Sequence, residues 1–140
     1  MEKKFIMTAF SKDRPGIVAD VTEVLYEHGC NLEDSTMTNM LDEFAIILLF
    51  TGKGDRLEEK LSGDCRRLER EKGITAFIRP VEAEDKGTPV NIITKTINVE
   101  GIDQTGIVFK ISRYLANNNI NIESLTSKRA TSPESGTALY

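Results

Sequence analysis

The tetrapeptide Asp13-Arg14-Pro15-Gly16 returns ninety residues later as Asp103-Gln104-Thr105-Gly106. The same offset lays Ile17 on Ile107, Val18 on Val108, Val21 on Ile111, Leu25 on Leu115, Asn31 on Asn121 and Leu32 on Ile122, with no gap. One gapless offset across apolar and polar positions alike marks a tandem repeat. In a chain of 140 residues, that repeat leaves room only for two very small units.

The first copy can be followed element by element. A short strand over Phe5 to Phe10 leads into the DRPG corner and then a helix. Ile17, Val21, Val24 or Leu25, and His28 recur on that helix at helical spacing, which gives one apolar face. Gly29 is a C-terminal stop. Asn31 to Met40, rich in Thr, reads as an edge or half-exposed strand, and Leu41, Asp42 and Glu43 as a hairpin turn. The run FAIILLF, Phe44 to Phe50, is apolar on both faces, so a helix on one side does not satisfy it. A partner sheet or a dimer mate must meet the other face.

Gly52 and Gly54 are expected to break that strand. A second helix carries Leu57, Leu61, Cys65 (or Asp64) and Leu68, and Gly73 ends it. Ile74 to Val81 forms a fourth strand with Pro80 near its end, as on an edge. The order strand-helix-strand-strand-helix-strand predicts an α+β fold of the ferredoxin-like type, with strand order 4-1-3-2 and both helices on one face.

The first unit thus covers residues 1–82, and the stretch EAEDKGTPV lacks periodicity, so residues 83–91 read as a linker. Residues 92–140 restart the pattern with a strand near Ile92 to Val99, the DQTG turn, and a helix whose apolar face holds Ile107, Ile111 and Tyr114 or Leu115. A further strand is expected at GTALY. Counterparts of Thr51 to Val81 are missing, so this unit is incomplete before its last helix and strand. An open first strand invites pairing, so either the natural chain continues for roughly 30 to 40 residues (the size of that missing part of the unit) or a partner covers the gap.

Composition excludes several function classes. The net charge of -4 and the acids interrupting CRRLEREK, Cys65 to Lys72, argue against direct nucleic-acid binding. No apolar run approaches the roughly 20 residues of a membrane span, and the charged start is no signal peptide. Two cysteines build neither a staple framework nor a metal cluster. The expectation is a cytoplasmic protein without a cofactor or metal. It is no enzyme: the single histidine, His28, falls in register with an apolar helix face as a packing or capping residue.

The corner carries the candidate site. Pro15 suits a first helical turn, Gly16 permits an unusual backbone angle, and Asp13 can cap orphan helix N–H groups. A helix start with free N–H groups also takes a carboxylate. Asn31, and Asn121 in the second copy, offers an amide donor and acceptor for a zwitterion. A small amino acid is therefore the expected ligand, held at a seam.

The segments FSKDRPGIVADVTEVLYEHGCNLEDSTM and ITKTINVEGIDQTGIVFKISRYLANNNINIESLTSKR resemble the opening of the ACT domain, a regulatory amino-acid-binding module. As a tandem pair they resemble the glycine cleavage system transcriptional repressor family. The resemblance implies two ferredoxin-like βαββαβ units side by side in one eight-stranded sheet. It implies ligand contacts from Ser11, Lys12, Asp13, Arg14, Pro15 and Gly16 with Asn31, and from Gly101, Ile102, Asp103, Gln104, Thr105 and Gly106 with Asn121. Thr105 stands where the first copy has Pro15, so the two sites need not be equal. A homodimer, or a partner regulatory protein receiving the signal, is implied with it. Two other readings compete: a dimerisation module whose loops bind nothing, and an RNA-binding sheet, which needs exposed aromatics beside basic residues.

Overall fold

The structure is a computed structural model that describes residues 2–82, 92–128, 130–131 and 138–139. The chain divides into two compact units, Met1–Thr88 and Pro89–Tyr140. The expected linker, 83–91, and all of GTALY except Ala138–Leu139 lie outside the described residues.

The first unit runs β1 (Glu2–Lys12), α1 (Ile17–Glu27), β2 (Asn31–Met40), β3 (Glu43–Lys53), α2 (Leu57–Arg67) and β4 (Thr75–Val81). Its sheet has the order β2-β3-β1-β4, with every neighbouring pair antiparallel. This is the ferredoxin-like order expected from the sequence. Period-two alternation sends Phe5, Met7 and Ala9 of β1, and Phe44, Ile46, Leu48 and Phe50 of β3, to the helix-covered face, where all are buried. Phe5 and Phe50 stack there with ring centroids 5.7 Å apart. The helices answer with Ile17, Val21, Val24 and Leu25 from α1, and Leu57, Leu61 and Cys65 from α2. Both Val24 and Leu25 are buried, and Cys65, not Asp64, holds the inward position. Burying each of the large side chains stabilises the fold by about 1.5–3 kcal/mol.

Chain reversals follow backbone chemistry. Gly29 (φ 64°) and Gly73 (φ 70°) take the left-handed angle that ends a helix. Before Gly73, one π-helical turn, Leu68–Lys72, keeps Leu68 in the core. The β2–β3 hairpin turns on Leu41 (φ 45°) and Asp42 (φ 63°) alone, while Glu43 already belongs to β3. Two positive angles at adjacent positions match the right-handed twist of the strands; aspartate tolerates such an angle, whereas leucine does not favour it. Gly52 does not break β3 as expected. It is buried within the strand, and a Cβ there would lie 2.5 Å from Leu57 Cδ2 and 2.9 Å from Cys30 Sγ. Close packing dictates that glycine, and the break falls at Gly54 (φ 128°).

In the second unit, a helix forms where the apolar spacing of Ile107, Ile111 and Leu115 predicts one, as α3 (Gln104–Asn117). Ile107, Ile111 and Leu115 are half-buried, while Tyr114 is exposed. Residues 92–100, expected as a strand, are not one: a strand exists only as part of a ladder, and no neighbour among the described residues supplies one. Two short strands, β5 (Ala130–Thr131) and β6 (Ala138–Leu139), pair antiparallel. No helix among the described residues is long and apolar enough to cross a membrane.

Candidate functional site

β1 delivers the chain to Lys12, and the corner that follows is a hydrogen-bonded turn. Ile17 N–H donates to the Arg14 carbonyl at 3.3 Å. Gly16, at φ 86° and ψ -4°, has the third-residue geometry of a type II turn, with Pro15 before it. The Gly16 carbonyl then accepts from Asp20 N–H at 2.9 Å, which makes Gly16 the N-cap of α1. No side chain caps this helix. Asp13 therefore does not play the capping role expected of it. Its backbone N–H instead donates to the Asp42 carbonyl at 2.7 Å, which ties the loop to the β2–β3 turn.

The charge of the loop is internally compensated. Arg14 reaches over the helix start to Asp20 Oδ2 at 2.7 Å and to the Pro15 carbonyl at 3.3 Å. Both members of the ion pair are part-exposed, so the pair is worth about 0.2–1 kcal/mol. An incoming carboxylate can share or displace Asp20 at that cost. No acceptor among the described residues meets the N–H groups of Val18 and Ala19. The loop opens onto a depression of about 720 Å³ lined by Asp13 to Ala19 on one side and by Met37, Asn39 and Phe44 on the other.

The second loop is built differently. Asp103 is a true N-cap, its Oδ1 accepting from Gly106 N–H at 3.1 Å. Thr105 and Gly106 are already helical there, three residues ahead of the point where α1 begins. A Cβ on Gly106 would strike the Asp103 carboxylate, so the capping carboxylate and the glycine require each other. A depression of about 530 Å³ lies beside Ile102, Asp103, Gln104, Thr105, Val108 and Phe109.

An ACT-domain family model matches residues 3–79, from β1 to near the end of β4. The chain belongs to the ACT-domain family. A UPF0237 protein of Methanopyrus kandleri is 33% identical over 75 residues, covering 53% of this chain and 83% of that protein. The glycine cleavage system transcriptional repressor of Escherichia coli K12 is 43% identical over 47 residues, which are 34% of this chain but only 25% of the repressor. Two solved structures share the fold over 99% of this chain. One is an unknown protein from Galdieria sulphuraria, with TM-score 0.68, 22% identity and 78% of its own length covered. The other is assigned as a glycine cleavage system transcriptional repressor, with TM-score 0.69, 21% identity and 77% covered.

Within the ACT unit, the sequence-derived residues do not all gather. Asp13, Arg14, Pro15 and Gly16 line the depression, with Ser11 and Lys12 ending the strand that feeds it. Asn31 does not: it pairs with Thr51 at the opposite end of β2, some eight residues, or roughly 26 Å, from Asn39. The residues that do face the loop, Met37 and Asn39, were missed. Their signal was present in the strand order, because antiparallel strands place the end of β2 beside the end of β1. In the second unit, Gly101, Gly106 and Asn121 do not line the depression that Ile102 to Thr105 share.

Among the described residues, no group of three or more His, Cys, Asp or Glu gathers in a metal-binding arrangement. His28 caps the C-terminus of α1 and pairs with Asp64 on α2. Cys30 and Cys65 are free thiols. Burial pushes the Cys30 thiol up, and burial together with the neighbouring Asp64 carboxylate pushes Cys65 up to about 11.

Proposed function

We propose that the protein is a regulatory amino-acid sensor whose ligand sits against the Asp13–Ala19 loop of the ACT unit, and that it signals through a protein partner. The observation that carries this reading is the pair of unpartnered N–H groups, on Val18 and Ala19, at the mouth of a depression that also offers the Asn39 amide. Helix N–H groups hold a carboxylate, and an amide carbonyl accepts from an ammonium. The relatives named as glycine cleavage repressors favour a role in controlling amino-acid metabolism.

The site is completed by a second copy of the chain. All ten residues of β2 are exposed, and among the described residues β2 pairs only with β3, which leaves its outer backbone edge open. Antiparallel pairing of two β2 edges, centred between Ser35 and Thr36, carries Asn31 of each copy to the Met37–Met40 end of the other. Asn31 then contributes to the loop of the opposite copy and not to its own. This arrangement extends four strands to eight.

Residues 92–140 act as the second unit of the tandem, a reading supported by α3, which ends at Asn117, ninety residues after Glu27 ends α1. There the Asp103 carboxylate takes the Gly106 N–H, so the donors left at that helix start are those of Gln104 and Thr105, a set arranged differently from Val18 and Ala19. The two loops are accordingly unequal, with the first as the sensor.

A melting-temperature screen of the full chain against the twenty amino acids tests the proposal. A ligand at a hundred times its dissociation constant stabilises by about 2.7 kcal/mol. Twenty flat results would leave the ACT unit as a dimerisation scaffold.

A further inference from the structure

The sheet of the first unit has a second face, turned away from α1 and α2, and it is apolar. Ile6 and Phe10 of β1, Ile47 and Leu49 of β3, and Phe77 of β4 share it by strand alternation. Phe10, Ile47 and Phe77 are 44%, 48% and 55% exposed, and the Phe10 and Phe77 rings meet edge to face at 6.0 Å. A continuous exposed patch of this kind marks an interaction surface.

The charges around the patch identify its occupant. Read across the sheet, one row runs Asp34, Leu49, Ile6, Arg79 from β2 to β4, and another places Glu43 of β3 beside Lys12 of β1. We infer that this face docks on the same face of a second copy, about a two-fold axis parallel to the strands and passing between β3 and β1. That rotation lays β1 over β3 and β4 over β2 of the opposing sheet. Arg79 then meets Asp34, Lys12 meets Glu43, and Ile6 meets Leu49, each pair formed twice. The alternative axis, perpendicular to the strands, sets Lys4 over Lys12 and opposes like charges. Two aligned sheets pack about 10 Å apart with side chains interdigitating, a spacing that the Phe10, Ile47 and Phe77 side chains fill. This surface is independent of the β2 edge and of any ligand.

Sedimentation of the full chain at micromolar concentration tests the inference. Ile47→Lys and Phe77→Lys alter exposed positions, and each is expected to halve the mass of the assembly with the circular dichroism spectrum unchanged, the melting temperature falling only by what the association contributes. Arg79→Asp alone weakens association at least tenfold, and Arg79→Asp combined with Asp34→Arg restores it. Edge pairing through β2 predicts no such rescue, because positions 34 and 79 lie on opposite edges of the sheet. An unchanged mass in both lysine variants would overturn the inference, as would a monomeric parent chain or failure of the double reversal to restore association. A single-stranded RNA oligonucleotide that binds the parent chain and loses binding in Phe77→Lys would assign the face to nucleic acid and overturn it too.

Discussion

The backbone N–H of Asp13 donates to the carbonyl of Asp42 at 2.7 Å, which ties the loop before α1 to the hairpin between β2 and β3. The lining of the candidate site comes from both sides of that bond: the loop residues themselves, and Met37 and Asn39 just ahead of the hairpin. Stiffening the hairpin should stiffen the loop. Leu41 and Asp42 sit at positive φ, and Leu41 is 95% exposed, so its side chain gains nothing from the fold. Replacing the pair by Asn-Gly, which adopts these angles readily, is expected to stabilise the protein by about 0.5–1 kcal/mol. Chemical denaturation would show it as a higher midpoint with an unchanged slope.

Gly16 tests the corner itself. A Cβ there has room, its nearest neighbour being Arg14 Nη1 at 3.8 Å, so only the backbone angle of 86° resists substitution. Gly16→Ala should therefore cost about 1–2 kcal/mol without disturbing the core. Gly16→Val costs more, because a β-branched side chain fits that angle poorly. A variant that melts like the parent would show that the turn is not held in this conformation.

The pair of helices is pinned at one end by His28 Nε2 and Asp64 Oδ2, 2.6 Å apart, with Arg67 Nη2 3.4 Å from the other carboxylate oxygen. His28→Ala removes the first of these contacts and is expected to cost about 1–3 kcal/mol, the range for a hydrogen bond to a charged group or a partner left unsatisfied. Asp64→Asn keeps a hydrogen-bonding group at the same place and should cost less. Equal losses in the two variants would show that shape rather than hydrogen bonding holds the junction.

Cys65 supplies a pH dependence. Its thiol is pushed from 9.0 to about 11 in the folded protein by burial and then by Asp64. The unfolded thiol ionises first, so the stability this group contributes is complete below pH 9 and is lost as pH rises toward 11. Stability should fall over that window in the parent chain, and fall less steeply in Cys65→Ala. Equal slopes would place the thiol in contact with water.

Much of the first unit could be read from residue order. The inward stripes at Phe5-Met7-Ala9, Val21-Leu25 and Leu57-Leu61-Cys65-Leu68 need only periodicity, and Gly29 and Gly73 end helices as glycine does. Asp13 was misread because capping depends on backbone angles: the type II turn at Pro15-Gly16 moves the helix start to Gly16, beyond the reach expected for the Asp13 side chain. In the DQTG loop, where Thr105 precedes the glycine, Asp103 does cap. Asn31 is harder to place from residue order. It follows α1 closely in sequence, but it opens β2 opposite Thr51, and the strand's other end brings Asn39 to the loop of its own chain. The expected strand at 92–99 shows that apolar alternation creates a strand only where another strand accepts its hydrogen bonds.

Calorimetric titration of the full chain with the amino acid that most raises its melting temperature tests the central claim most directly. The account predicts saturable heat with one ligand per first-unit loop in the parent, weakened at least tenfold in Gly16→Val and in Asn31→Ala while both variants remain folded. Saturable binding of full strength in both variants would put the ligand elsewhere, and no heat from any of the twenty amino acids would contradict a sensing role for the loop.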